Sequence, residues 1–159
     1  MNKLLILALA VVLPAFPQIG APRLGFVRGS DGTVRTLRGV AGSFALGESV
    51  LQNIERIWFD GRRGVALTAT DCIAFDADGK VRWRSELAES PRIPEPGATW
   101  TADEVAIAKT GVRVRLSFEV QSVERVGAEY LLIRGGSQQR LLRTTPGREA
   151  LYEIPEAAQ

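Results

Sequence analysis

The chain has no histidine and only one cysteine among its 159 residues. Histidine-based triads, histidine-ligated zinc or haem and dithiol redox chemistry therefore lack the side chains that they need. No disulfide can form within the chain, because a bridge requires two thiols. Cys72 precedes an alternating apolar run and follows the acidic Asp71, which disfavours a reactive thiolate. We therefore predict that Cys72 is a small packed residue.

Charge of one sign is not concentrated anywhere in the sequence. The formal net charge is +2, and the arginines, which are all but three of the 20 basic residues, are dispersed along the chain. Nucleic-acid-binding proteins usually carry a basic patch or stripe. We therefore expect no nucleic-acid partner. Neither a cofactor motif nor a set of metal ligands is recognisable, so we expect neither kind of group.

Long hydrophobic runs are also lacking. The apolar run 4–13 is about half of the ~20 residues that a membrane-spanning helix needs, so we expect no membrane span. It follows the basic Lys3 and precedes a breaker-rich segment that ends in small residues, which is typical of an export signal. The alternative is a buried N-terminal element. The prediction is a signal peptide over 1–21, a single domain over 22–159, and a secreted or periplasmic location.

The sequence contains little helical periodicity and instead repeats one figure, a strand-like run that turns at Asp-Gly. The corners are Asp31-Gly32, Asp60-Gly61 and Asp78-Gly79. Asp-Gly accepts the positive φ of tight hairpin turns. Strict alternation over 112–120, with apolar residues at every second position, is typical of a half-buried strand. We therefore predict an all-β protein.

The corners divide the chain into four units, 23–47, 50–87, 99–120 and 121–155. A period of about 35 residues is typical of blade-like repeats, whose small sheets bury their faces against each other. We predict a propeller-like arrangement of three to four small antiparallel sheets, either closed or left incomplete and open. We expect the last strand, 149–154, to close the ring by pairing with the first unit.

The segment Cys72–Arg84 resembles the outer-strand repeat of quinoprotein-like β-propellers, in which a Gly corner precedes a returning strand with Trp. Ile57–Leu67 is similar to an inner strand of WD40-like propeller blades. Residues 24–40 are similar to the first blade of secreted bacterial propeller-like proteins. The resemblance is strongest over Ile54–Leu87. It implies a scaffold and carries over neither catalytic residues nor the quinone cofactor.

Several patterns invite a functional interpretation that their details do not support. Asp76-x-Asp78-Gly79 begins like a calcium loop, but basic residues follow where oxygen ligands belong, so we predict a hairpin turn. Residues 135–137 (Gly-Gly-Ser) lack the Lys-Ser/Thr pair and the helix of a phosphate loop. A carboxylate pair for glycoside chemistry could come only from scattered acidic residues: Glu48, Glu55, Asp60, Asp71, Asp103, Glu104 and Glu119.

Loop residues are the best candidates for binding. We single out Arg62 and Arg63 beside a turn, and Arg92 and Trp100 around the proline-rich segment 88–98. The other two tryptophans, Trp58 and Trp83, lie on apolar stripes and are predicted to pack inside. The arginines at positions 113 and 115 either bind an anionic partner or protect a strand edge from aggregation.

The leading functional hypothesis is a non-catalytic binding or structural module that recognises a protein or a surface polymer. One alternative is a polysaccharide hydrolase or lyase that uses a carboxylate pair. Another is a degenerate remnant of a longer propeller. Self-association would complete an incomplete ring. An enzyme is not excluded, but the missing chemistry favours a binding role.

Overall fold

The computed structural model describes residues 20–87 and 92–154, and all regular structure within them is β-strand. Fourteen strands form four antiparallel sheets, which we call A to D in chain order. The all-β prediction and the predicted number of sheets are both confirmed. The predicted export signal lies outside the described residues apart from its last two positions.

Sheets A and B come from the first half of the chain. Sheet A contains β1 (Arg23–Arg28), β2 (Val34–Val40) and β3 (Ser43–Leu51). Sheet B contains β4 (Arg56–Phe59), β5 (Arg63–Leu67), β6 (Asp71–Asp76) and β7 (Val81–Glu86). Each strand pairs with the strands next to it in sequence, so both sheets are simple meanders built from hairpins.

Sheets C and D come from the second half and have the same meander order. Sheet C contains β8 (Ala98–Trp100), β9 (Glu104–Ile107) and β10 (Arg113–Arg115). Sheet D contains β11 (Ser122–Arg125), β12 (Tyr130–Gly135), β13 (Gln138–Arg143) and β14 (Ala150–Tyr152). Sheets B and D fall within the second and fourth units that the sequence predicts. Sheet A extends to Leu51, beyond the predicted end of the first unit at 47, and sheet C begins at Ala98, one residue before the third unit.

The Asp-Gly corners are hairpin turns that aspartate side chains hold in place. Oδ1 of Asp31, Asp60 and Asp76 accepts hydrogen bonds of 2.8–3.0 Å from backbone N–H groups two to four residues further on. The glycines of these turns have φ between 74° and 101°, a region that only glycine adopts at little cost. The predicted turn at Asp76 is confirmed. The described residues contain no group of three or more acidic, Cys or His side chains suited to a metal ion.

Three buried apolar clusters join the sheets in the order B–A–D–C. Cluster 1 joins sheets A and B, cluster 2 joins sheets C and D, and cluster 3 joins sheets A and D. Sheets A and D therefore contribute to the core through both faces. Sheets B and C each contribute through one face, and none of the three clusters contains residues of both. Representative members are Phe26, Phe59 and Phe75 of cluster 1, Val105, Leu131 and Ile133 of cluster 2, and Leu37, Val126 and Leu132 of cluster 3.

The segment 112–120 packs as predicted, although its strand is short. All five alternating apolar residues contact cluster 2, but only Arg113–Arg115 form a strand, β10. The backbone leaves the ladder after Arg115. The amides of Leu116 and Val120 instead donate to the carbonyls of Asp103 and Ala102, at 2.7 Å each.

The last strand does not pair with the first unit, so that prediction is wrong. β14 pairs with β13 of its own sheet, with Leu142 opposite Leu151. A turn near Pro146 joins the two strands, and this local pairing fixes far less chain than a ladder to β1 would. β14 contacts sheet A through side chains and not through a strand ladder. The ring of Tyr152 packs edge-to-face on Phe44 of β3, with a centroid distance of 5.3 Å.

Candidate functional site

The free face of sheet B carries two tryptophans on a single cross-strand row. The register places Trp58 opposite Val65, Val65 opposite Ala74, and Ala74 opposite Trp83. Directly paired residues lie on the same face of a sheet. The Cα atoms of the two tryptophans are thus separated by three strand spacings, about 14 Å, with two small side chains between them. We call this row of four residues the indole trough.

Trp83 is 55% exposed, so the prediction that it packs inside is wrong. It lies on β7, the edge strand of sheet B, where the first four residues are all exposed. The alternation of Val81 and Trp83 with arginines resembles a half-buried strand, but no described cluster covers either face of β7. Trp58 is half-buried and lies at the other end of the trough.

Charged side chains form the rim of a cavity of about 350 Å³ over the trough floor. The floor includes Trp58, Val65 and Ala74, and the rim includes Arg62, Arg63, Asp76, Arg82 and Pro94. The Nη2 of Arg82 lies 2.6 Å from Oδ2 of Asp76, and the Nε of Arg63 lies 3.6 Å from Oδ2 of Asp60. Within residues 20–87 and 92–154, Arg62 makes no ion pair, so its guanidinium is available to a ligand.

The turn that presents these arginines is held by Asp60. Partial burial raises the pKa of Asp60, but the hydrogen bonds that it accepts from the N–H groups of Arg63 and Arg62 outweigh this effect. The pKa is therefore lowered overall. The carboxylate stays ionised and fixes the backbone from which both guanidinium groups project.

The described part of the proline-rich segment, residues 92–98, lies beside the trough. Pro94 lines the trough cavity and also a second cavity of about 280 Å³, which contains Trp58, Ile93 and Trp100. The Nε of Arg125 donates to the carbonyl of Pro96 at 2.7 Å. Burial lowers the pKa of Arg125. This arginine anchors the segment to sheet D.

Three of the four binding residues predicted from the sequence line one of the two cavities, and the fourth, Arg92, lies next to a lining residue. Arg62 and Arg63 are on the rim of the trough cavity, and Trp100, which is 42% exposed, lines the second one. Arg92 is exposed next to the lining residue Ile93. Trp58 and Pro94 line both cavities, so the candidate binding residues lie around two adjoining cavities.

Sequence reasoning did not include Trp58, Trp83 and Arg82 in the site. The only signal for Trp83 was that arginines flank it on both sides. This pattern is as typical of an exposed edge strand as of a half-buried one.

The largest of the cavities described here, about 1060 Å³, has three carboxylates in its lining: Asp31, Glu55 and Asp71. Asp71 lies 3.5 Å from the Nη1 of Arg84. Hydrogen bonds from Thr33 lower the pKa of Asp31, whereas a general acid for glycoside chemistry needs a raised pKa. The other acidic candidates lie outside this cavity. Two of the acidic residues considered for a catalytic carboxylate pair, Glu55 and Asp71, therefore line the same cavity.

Comparison of the chain with protein-family models, with curated proteins and with solved structures gives no match. Within residues 20–87 and 92–154, no helical segment has the length and apolarity needed to cross a bilayer.

Proposed function

We propose that this chain is a non-catalytic binding module that recognises a surface polysaccharide through the indole trough. The observation that supports this proposal is the row Trp58–Val65–Ala74–Trp83, in which Trp83 is exposed and the other three residues are half-buried, flanked by guanidinium groups. Indole rings offer a large amphipathic face at a low cost in conformational entropy. Such a face stacks on the apolar side of a sugar ring, while arginine donates to hydroxyl or acidic groups.

The spacing in the trough suits an extended ligand better than a compact one. The Cα atoms of the two tryptophans lie about 14 Å apart, a separation that an extended chain can follow from one indole to the other. The small side chains of Val65 and Ala74 leave a groove that a chain could follow. Arg62 at the rim is exposed and makes no ion pair among the described residues, so it adds a preference for a glycan that carries acidic groups.

We also propose that the four sheets are the blades of an open propeller-like arrangement in an exported protein. Support comes from the packing order B–A–D–C and from the contacts of β4 with both β1 and β11, which bring the first strands of three sheets together. In this proposal the opening lies between sheets B and C, and the trough faces it. A second copy placed there would complete the ring. Export would follow from residues 1–21.

The test is binding to a panel of neutral and acidic bacterial polysaccharides, measured by tryptophan fluorescence and by depletion onto insoluble polymers. Trp83→Ala should weaken binding by about tenfold or more, as expected for a central aromatic contact. Leu151→Ala, which alters an exposed apolar residue on sheet D, is the matched control and should not change binding. Equal affinity of Trp83→Ala and the unaltered protein would contradict the proposal, as would no saturable binding to any glycan.

The hydrolase or lyase alternative is favoured by the carboxylates in the largest cavity. The same polysaccharides, incubated with the protein, should release no new reducing ends if the binding proposal is correct. Release that is abolished by Glu55→Gln or Asp71→Asn would instead establish the enzyme. The remnant hypothesis predicts neither binding nor release.

A further inference from the structure

A second charged cluster lies away from the trough, where sheets A and D meet. Arg28 ends β1, Arg134 lies on β12, and Glu124 of β11 is between them. The Nη2 of Arg28 is 3.4 Å from Oε1 of Glu124, and the Nε of Arg134 is 3.6 Å from Oε2. The three side chains are only 21%, 19% and 12% exposed. Two largely buried guanidinium groups thus share a single carboxylate.

The hydrogen bonds of this cluster are incomplete among the described residues. The bonds that Arg28 donates, to Glu124 and to the carbonyl of Gly29, are both 3.4 Å long. Arg134 donates through Nη1 to Oε1 of Gln139 at 3.1 Å and through Nη2 to the carbonyl of Arg28. The Nε atoms of Arg28 and Arg134 are buried without a hydrogen-bond partner in residues 20–87 and 92–154. Burial lowers the pKa of Arg134. The carboxylate of Glu124 opposes this shift, and the nearby charge of Arg28 adds to it. A buried positive charge that is left uncompensated is costly, and an anion would relieve that cost.

A cavity of about 260 Å³ opens on these arginines. Arg28, Arg134, Ser30, Ser137 and Gln138 are among the residues that line it, and none of its lining residues is acidic. The lining therefore offers guanidinium, hydroxyl and amide donors and itself includes no carboxylate. Gly136 and Ser137 of the Gly-Gly-Ser turn are part of this wall, although the turn lacks the sequence of a phosphate loop.

We propose that this cavity binds one oxyanion group, a carboxylate, sulfate or phosphate, between the guanidinium groups of Arg28 and Arg134. Each Nη atom of the two arginines carries a second N–H beyond the bond that it already donates, and these N–H groups can donate to the oxygens of such a group. The net charge of the three-residue cluster is +1, which one anion neutralises. The site is distinct from the indole trough, so it stands or fails independently of the polysaccharide proposal.

The test is an NMR titration of the arginine Nε–H signals with sodium phosphate, sulfate or acetate, at constant ionic strength set with sodium chloride. At least one oxyanion should shift the Arg28 and Arg134 signals saturably. Arg134→Gln and Arg28→Gln should each weaken binding by about tenfold or more, because a charge-assisted pair is lost. Arg113→Gln is the matched control, since this exposed arginine pairs with Glu104 on sheet C, and it should bind like the unaltered protein.

Glu124→Gln gives an effect of opposite sign. It keeps the shape of the side chain but removes the carboxylate that pairs with both arginines, so it should tighten oxyanion binding several-fold. A purely structural arginine cluster would not respond in this way. Saturation by phosphate and sulfate but not by acetate would assign a tetrahedral ligand, and saturation by acetate a carboxylate. No saturable shift with any of the three probes, or weaker binding by Glu124→Gln, would overturn the proposal.

Discussion

The amide of Phe26 donates a hydrogen bond of 2.9 Å to the carbonyl of Val126. This bond joins β1 of sheet A to the chain just beyond β11 of sheet D. Gly25, the residue before Phe26, lies so close to Val126 that a methyl group in place of its hydrogen would overlap the same carbonyl oxygen. The two halves of the molecule thus meet backbone to backbone, and only glycine permits this approach.

Gly25→Ala should destabilise the protein by about 1–3 kcal/mol, because the new methyl group forces the two backbones apart. Urea denaturation followed by circular dichroism measures the change. Gly111→Asn is the matched control. Its Cβ has no neighbour within 4 Å, and asparagine tolerates the positive φ found there. An unchanged unfolding midpoint for Gly25→Ala would show that the contact is not tight in solution.

Phe26→Ala should cost about 3–5 kcal/mol, a large part of the stability of a small domain. Phe26 is fully buried and packs edge-to-face on Phe59 and on Phe75, with centroid distances of 4.8 and 5.3 Å. Val40→Ala alters an exposed residue of the same sheet and should change stability by less than about 0.5 kcal/mol. Equal midpoints for the two variants would contradict the role of this aromatic group.

Stability should fall as the pH drops below about 4. The pKa values of Asp31, Asp60 and Asp76 are all lowered in the folded state. Their contribution is complete above the unfolded value near 3.8 and is lost as the pH falls through the lower folded values. Replacing all three by Asn keeps a hydrogen-bond acceptor at each turn but removes the titration. The thermal unfolding midpoint should then change less between pH 6 and pH 2 than it does in the parent. An identical change of the midpoint with pH in both proteins would refute this account.

Arg113 and Arg115 should keep sheet C from pairing with other copies. Both are exposed on β10, the edge strand of that sheet, where charged side chains discourage edge-to-edge association. The Arg113→Val and Arg115→Val double variant should form larger species as its concentration rises, as measured by light scattering. Replacing both by Lys keeps the charge and should leave the mass unchanged. A Val variant with the parent's mass would favour a binding role for these arginines.

The hairpins could be predicted from the sequence because their signals are local. Asp60 and Gly61 specify a turn through their own chemistry, whatever surrounds them. Which part of the protein packs on a given sheet face is harder to predict, because it depends on residues that are distant in the sequence. Val81 and Trp83 alternate like half-buried residues, yet β7 is an edge strand, and nothing in its own residues distinguishes the two cases.

The candidate site was predictable to the same limited extent. Arg62 and Arg63 stand beside a recognisable turn, and Trp100 follows a proline-rich segment, so each is identifiable as a loop residue. The alignment of Trp58 with Trp83 depends on the register of three successive hairpins. The junction of Arg28, Arg134 and Glu124 brings together residues that lie up to 106 positions apart in the chain, and no local pattern reports it.

The order in which the sheets pack has a consequence for how the polypeptide could be divided. Sheets A and B derive from residues before the proline-rich segment and sheets C and D from residues after it, and every described strand pair stays within one of these parts. A single peptide-bond cut between sheets B and C would therefore break no ladder hydrogen bond among the described strands. The two fragments should stay associated through cluster 3 and the Phe26–Val126 bond, and they should reassemble as complementary pieces when made separately.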